Sequence, residues 1–293
     1  MPASPVRPRS ERLGFTALGF QPFRTFFAVG LVANTAQFIQ GAGIGWTSWL
    51  VTGSPAGVAL IGFLGVLPYT LLTLHAGLLT DRFGARRMLA GSYLVSGIGV
   101  ALLGAGSLVW GVPFAVLAVA AFALGVLAVA GAPASITIVN ELVPAHAVPS
   151  AVALIFLDIN LARVIGGVIG GLLLAAAPGG WTLLLAGVLL ALPSLGIARL
   201  PTPAPTRAAA PVRTSLVAPI RAAASGGLRH PILGPLFLAT AVMGSLGQGY
   251  NYQLPVAAIE LGRGADGLGI LTAAVGVGGL VVGLTLERLM RGV

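Results

Sequence analysis

The feature that most limits what this chain can fold into is a series of long apolar runs. Eight segments, 23–50, 57–79, 88–109, 112–139, 148–176, 181–200, 231–259 and 267–287, carry very little charge. Each reaches or exceeds the roughly 17–25 residues that a helix needs to cross a bilayer. A transmembrane barrel would instead alternate apolar and polar residues in segments of about ten. Lipid offers no hydrogen bonds to an open backbone, so solid apolar runs must be helical. The predicted fold class is therefore all-α, a polytopic membrane protein with about eight transmembrane helices. Composition points the same way. Of the 293 residues, 57% are hydrophobic and 8% charged, with a mean hydropathy of +0.99. Soluble domains usually carry about 25% charged residues.

All sixteen basic residues are arginine, and their placement orients the helices. Arg7, Arg9, Arg12 and Arg24 precede or open helix 1. Arg82, Arg86 and Arg87 lie between helices 2 and 3. Arg199, Arg207, Arg213, Arg221 and Arg229 lie between helices 6 and 7, and Arg288 and Arg291 follow helix 8. All of these fall on one side of the membrane, whereas Arg263 falls on the other and Arg163 lies inside helix 5. The positive-inside rule makes that side cytoplasmic, and an even number of spans puts both termini there. The expected location is the plasma (inner) membrane. The formal charge of +9 does not form a basic face with interleaved aromatics, so no nucleic-acid partner is expected. The chain has no cysteine, which excludes disulfides, thiolate metal sites and Cys nucleophiles.

Residues 1–22 read as a polar cytoplasmic tail. The apolar segment after them is longer than the roughly 7–15 residues of a signal-peptide core, so it should stay as the first span. Residues 23–200 read as a six-helix bundle. Residues 201–230, rich in Pro, Ala and Arg and free of acid, read as a cytoplasmic linker whose arginines can rest on anionic headgroups. Residues 231–293 read as helices 7 and 8 of a second, partial bundle.

Two stretches repeat at corresponding places. Gly77-Leu78-Leu79-Thr80-Asp81-Arg82 ends helix 2, and Gly283-Leu284-Thr285-Leu286-Glu287-Arg288 ends helix 8. GSPAGVAL (53–60) enters helix 2, and GADGLGIL (264–271) enters helix 8. Paired matches of this kind suggest two parallel halves, a plan used by transporters.

With these motifs the chain resembles the major facilitator superfamily. GLLTDRFGARRML (77–89) follows that family's signature for the loop between helices 2 and 3, with matches at Gly77, Leu79, Asp81, Arg82, Gly84, Arg86 and Arg87. FRTFF (23–27), WLVTGSPAGVALIGF (49–63), NELVP (140–144) and NLARVIGGVIGGLL (160–173) are similar to its drug:proton antiporter branch, which includes the enterobactin exporter. The resemblance implies a secondary exporter of small molecules working by alternating access, with an ion gradient, expected to be of protons, as energy source. It implies that the 2–3 loop latches the two halves, with the acid at Asp81 working against the start of helix 11. It also implies that Gly166, Gly167, Gly170 and Gly171 stand where the antiporter motif of helix 5 lies, with Gly167 in place of that motif's usual proline. Family members have about twelve helices. This chain matches about two-thirds of that plan, so a C-terminally truncated chain is expected: a transporter, a non-transporting remnant, or a partial subunit completed by a second chain.

Other candidate site residues come from polarity at membrane depth. Ionisable groups within a span point to function. Arg163 lies near the middle of helix 5, with Asn160, Gly166, Gly167 and Gly170 on its face at about 100° per residue. It either faces a central cavity, binding an anionic group or coupling to protons, or serves as a hydrogen-bond node between helices. Asp158 lies about 140° round the helix from it and is expected to pair with another helix or face the cytoplasmic vestibule. Helix 1 carries Asn34, Gln37, Gly41, Gly45 and Ser48 at spacings of three and four, which makes one small or polar stripe bordered by Gln40 and Trp46. Gln248, Tyr250 and Asn251, in a cluster with Tyr252 and Gln253 on helix 7, suit a facing wall. Interhelical hydrogen bonding is the competing reading for both. His75 reads as a packing residue. No H-E-x-x-H, P-loop or G-x-S-x-G spacing occurs, so no enzyme, metal or cofactor is expected. The expected partners are a small-molecule substrate, protons and the bilayer.

Overall fold

The computed structural model describes residues 15–200, 231, 234–235, 251 and 253–290, and all regular structure among them is helical. Six long helices follow in order: α1 (Gln21–Thr52), α2 (Pro55–Phe83), α3 (Ala85–Trp110), α4 (Phe114–Leu142), α5 (Val148–Ala176) and α6 (Gly179–Ala198). A helical stretch at 253–260 is α7, and Ala265–Met290 is α8. Among the described residues, seven helices are long and apolar enough to cross a membrane. The protein is a multi-pass helical membrane protein, as the apolar runs predict. Most of the expected span 231–259 lies outside the described residues.

Local chemistry sets the helix ends. Proline stands in the first turn of α1, α2 and α5, where its missing N–H costs nothing. Gly53 closes α1 in the left-handed region at φ 56°, and its N–H donates to the Trp49 carbonyl. Gly84 is the single residue between α2 and α3, at φ 87°, a conformation that a Cβ disfavours. The repeat seen in the sequence has a backbone counterpart: Gly262, at φ 69°, turns the chain three residues before α8 begins at Ala265.

Packing depends on small residues. Lipid tails are as apolar as leucine, so helices gain little by hiding apolar surface from them and associate instead through close contact. The α3–α6 pair is built this way. Gly97 meets Gly187, and Gly104 meets Gly180, the glycines standing seven positions apart on each helix. A Cβ on Gly97 would lie 2.6 Å from the Ala191 nitrogen and 2.7 Å from the Gly187 oxygen. The pairing order shows that the two helices run antiparallel. In contrast, α1 and α5 run parallel: Gly166 abuts Thr35 and Phe38, and Gly170 abuts Ile39 and Ala42.

One end of the bundle carries Arg24, Arg82, Arg86, Arg87 and Arg199, all within or next to helix termini. A short 3-10 turn at Thr16–Gly19 docks there, its Ala17 N–H donating to the Ser150 hydroxyl of α5. Phe23, fully buried, packs in the same cluster as Ala147, Ala151 and Ile197. The opposite end carries Trp49, Trp110 and Trp181, of which Trp110 is 84% exposed. Exposed tryptophans near helix ends suit a membrane–water interface.

Overpacking a filled contact typically costs about 1–3 kcal/mol. Gly97→Ala is therefore expected to lower the melting temperature of the detergent-solubilised chain. Gly99→Ala, on open surface, is the control and should leave it unchanged. Equal melting temperatures for the two variants would remove the α3–α6 contact as a source of stability.

Candidate functional site

A cavity of about 490 Å³ lies among α1, α2, α3 and α4, with Ile159 of α5 and Leu190 of α6 closing its sides. The polar stripe of α1 forms one wall: Asn34, Gln37, Gly41, Gly45 and Ser48 all line it, and so does Gln40. Their common spacing of three or four puts them on one helix face. Ser48 donates its hydroxyl to the Gly45 carbonyl, so that end of the stripe is satisfied within the helix. Trp46 points elsewhere: it packs with Ala42, Leu174, Ala258 and Leu268, between α1, α5, α7 and α8.

The far wall was not foreseen from the sequence. It brings Tyr69 from α2, Ser92, Tyr93 and Ser96 from α3, and Ser135 from α4. A signal existed on α3, because Ser92 and Ser96 stand four apart with Tyr93 beside them. On α4, Ser135 is followed by Thr137 and Asn140 at spacings of two and three, which give no single polar face. No Asp, Glu, Lys, Arg or His lines the cavity among the described residues.

The polar groups of α5 are divided among its neighbours. Asp158 is 3% exposed, and its Oδ2 accepts a hydrogen bond of 2.9 Å from Asn34 Nδ2 of α1. Gly30, one turn before Asn34, makes room for it, since a Cβ there would lie 3.0 Å from Oδ2. Asn160 donates to the Phe156 carbonyl and covers Gly279 of α8. Arg163 lies over the Phe38 ring of α1, its guanidinium carbon 5.0 Å from the ring centre. None of Asp158, Asn160 and Arg163 lines the 490 Å³ cavity. The glycine motif splits in two: Gly166 and Gly170 receive α1, whereas Gly167 and Gly171 receive Thr272 and Gly269 of α8. Of the candidates on helix 7, Gln248 and Tyr250 lie outside the described residues, and Asn251 is helical and half-buried.

The 2–3 turn has one anchored arginine. Arg86 forms an ion pair with Glu141 of α4 at 3.3 Å and donates to the Leu200 carbonyl just past α6. One guanidinium thus ties the ends of three helices, and its charge suits the negative end of the α6 dipole. Arg82 lies over the ring of its neighbour Phe83. Asp81 and Arg87 are exposed. Beyond its own helix, no described residue comes within 4 Å of a Cβ built on Gly77. His75 is half-buried, and its Nδ1 has no hydrogen-bond partner among them.

Hydrogen bonds to charged groups contribute about 1.5–3 kcal/mol each, more than exposed ion pairs at about 0.2–1. Arg86→Ala should therefore lower thermal stability in detergent more than Glu141→Gln does. Equal effects would mean that the Leu200 contact contributes nothing.

No curated protein and no solved structure matches this chain. A family model does. Over residues 13–293 the chain matches the model described as transmembrane secretion effector, MFS_3, and with its membrane-spanning helices it belongs to that family of major facilitator transporters.

Proposed function

We propose that this protein exports small uncharged or amphipathic molecules, drug- or siderophore-like, across the plasma membrane by alternating access driven by a proton gradient. One observation carries the reading: the single polar stripe of α1 lines a cavity of about 490 Å³. That volume lies within the 300–1,000 Å³ usual for small-molecule sites. Amide, hydroxyl and phenol groups line it, without a charged side chain among the described residues. Such a lining hydrogen-bonds neutral polar groups and leaves a cation without a counter-charge.

The arrangement proposed is a cytoplasmic tail (1–22), a six-helix bundle (23–200), a cytoplasmic linker (201–230) and the first helices of a second bundle (231–293). The arginine-bearing end faces the cytoplasm, where the positive-inside rule puts it. Arg163, held over Phe38 near mid-membrane, serves the transport cycle from the α1–α5 seam.

Proteoliposomes with an acid interior test this. Chloramphenicol, which is uncharged, should accumulate well above protein-free vesicles, and a protonophore should collapse the accumulation. Ethidium, a permanent cation, should move more slowly. Absence of gradient-dependent flux for chloramphenicol, ethidium and a catecholate siderophore alike would overturn the transporter assignment to these substrates. Gln37→Leu should weaken chloramphenicol affinity by about tenfold, the effect of losing a hydrogen bond worth ~1.4 kcal/mol; unchanged affinity would move the site away from the stripe. Arg163→Ala should abolish flux with membrane insertion intact. Normal flux in that variant would return Arg163 to packing alone.

A further inference from the structure

Asp158 is a carboxyl group at membrane depth. It is the eleventh residue of α5, about 15 Å from that helix's start at 1.5 Å per residue. Its surroundings are unusual for an acid. The side chain is buried, and no cation pairs with it among the described residues. Oδ2 has one partner, Asn34 Nδ2 at 2.9 Å, and Oδ1 has none among the described residues. Burial works against an ionised carboxylate, and the amide hydrogen bond works for it.

Asn34 belongs to two sites at once. It holds Asp158, and it lines the cavity. Its amide carries a donor on one side and an acceptor on the other. An ionised carboxylate only accepts, so it draws Nδ2 and leaves Oδ1 of Asn34 for the cavity. A carboxyl group that takes its proton on Oδ2 donates from that oxygen, so it draws Oδ1 of Asn34. The amide then turns over and shows Nδ2 to the cavity.

The geometry points to Asp158 and Asn34 as a proton-responsive pair, in which uptake of one proton by Asp158 switches Asn34 from hydrogen-bond acceptor to donor at the cavity wall. This inference rests on the transporter reading for its use, but its chemistry is separate. One O–H bond forms on uptake from water and breaks on release, and no other covalent bond changes. Substrate affinity and proton affinity are then linked reciprocally.

Among the described residues, few other ionisable groups stand on the helices around Asp158. On α3 the Tyr93 phenol, itself in the cavity wall, interacts electrostatically with it. On α5, Arg163 sits five residues on, over Phe38 of α1. On α1 the only ionisable group is Arg24, in the first turn. Glu141 of α4 is held by Arg86 at the arginine-bearing end, where Arg199 and His146 also lie. Asp266 of α8 lies at the other end, paired with Arg263.

Infrared difference spectra of the full chain in lipid, recorded through a pH titration, test the pair without a substrate. Set against Asp158→Asn, the wild type should show one additional carbonyl stretch of a protonated carboxyl group, titrating as one proton and accompanied by a shift in a side-chain amide band. Asp158→Asn should lose the carboxyl band. Asn34→Ala should keep the carboxyl band and lose the amide shift. A wild-type spectrum without a titrating carboxyl band, or the same band in Asp158→Asn, would overturn the proposal.

Proteoliposomes supply the functional arm. Asp158→Asn should lose acid-driven chloramphenicol accumulation at least about tenfold, within the range typical of coupled sites, and its chloramphenicol affinity should no longer change with pH. Accumulation at the wild-type rate would overturn the role in coupling. If Asp158→Asn does not elute as a folded species, Asn34→Ala decides: its chloramphenicol affinity should no longer change with pH, and an unchanged pH profile would refute the switch. A titrating band in a wild type that moves no chloramphenicol supports the pair and counts against the transporter reading. Flux without the band counts against the pair alone.

Discussion

Everything in this structure follows from the fact that a membrane offers neither hydrogen bonds nor a reason for helices to hide apolar surface. The first half of that constraint makes every span a helix. The second half makes close approach the main source of cohesion. The glycines supply it in two registers. On α3 and α6 they recur every seven residues and face each other across one seam. On α5 they come in adjacent pairs four apart, so that one member of each pair faces α1 and the other α8. The result is that α5 has two smooth faces, one for each neighbour.

The same constraint governs the polar groups. Most hydroxyls in the spans bond back to their own helix: Thr80 to Ala76, Ser92 to Leu89, Ser194 to Ala191 and Thr272 to Leu268. They are satisfied locally and tie nothing together. Links between helices are rarer. Among the described residues they include the Asn34–Asp158 hydrogen bond inside the bundle and the Arg86–Glu141 ion pair at its edge. The first joins α1 to α5 and the second α3 to α4. Some polar residues serve twice: Asn34, Ser48 and Ser92 make such bonds and also line the cavity.

Much of this was legible in the sequence, because the underlying signals are periodic or long. The apolar runs locate the seven described spans to within a few residues, and the stripe Asn34, Gln37, Gly41, Gly45 and Ser48 marks a wall that the structure places on the cavity. What stayed hidden depends on rotation and on partners distant in the chain. Trp46 borders the stripe in sequence but turns to α7 and α8, because it stands two residues from Ser48 and hence about 160° off that face. The split of the glycine quartet between α1 and α8 needs the positions of both neighbours. Ser135 and Tyr69 reach the cavity from helices whose sequences show no polar period. Arg86 looks like one of three equivalent positive charges, and its distinction lies in Glu141 and Leu200, far along the chain.

These placements bear on how a transport cycle could run. Alternating access requires seams that slide and seams that hold. At Gly167, Gly171 and Gly269 the α5–α8 seam is close backbone contact, with Thr272 on Gly167 and Asn160 over Gly279 as the side chains that must slide past. The α1–α5 seam is different. It carries the same kind of glycine contact, but the Asn34–Asp158 bond and the stacking of Arg163 on Phe38 cross it as well. Movement there must break or remake a hydrogen bond to a buried carboxyl group, and the strength of that bond depends on whether the group is charged. In the mechanism proposed here, α1 and α5 therefore move as one unit with its grip set by a proton, and the glycine face of α5 toward α8 is where that unit slides.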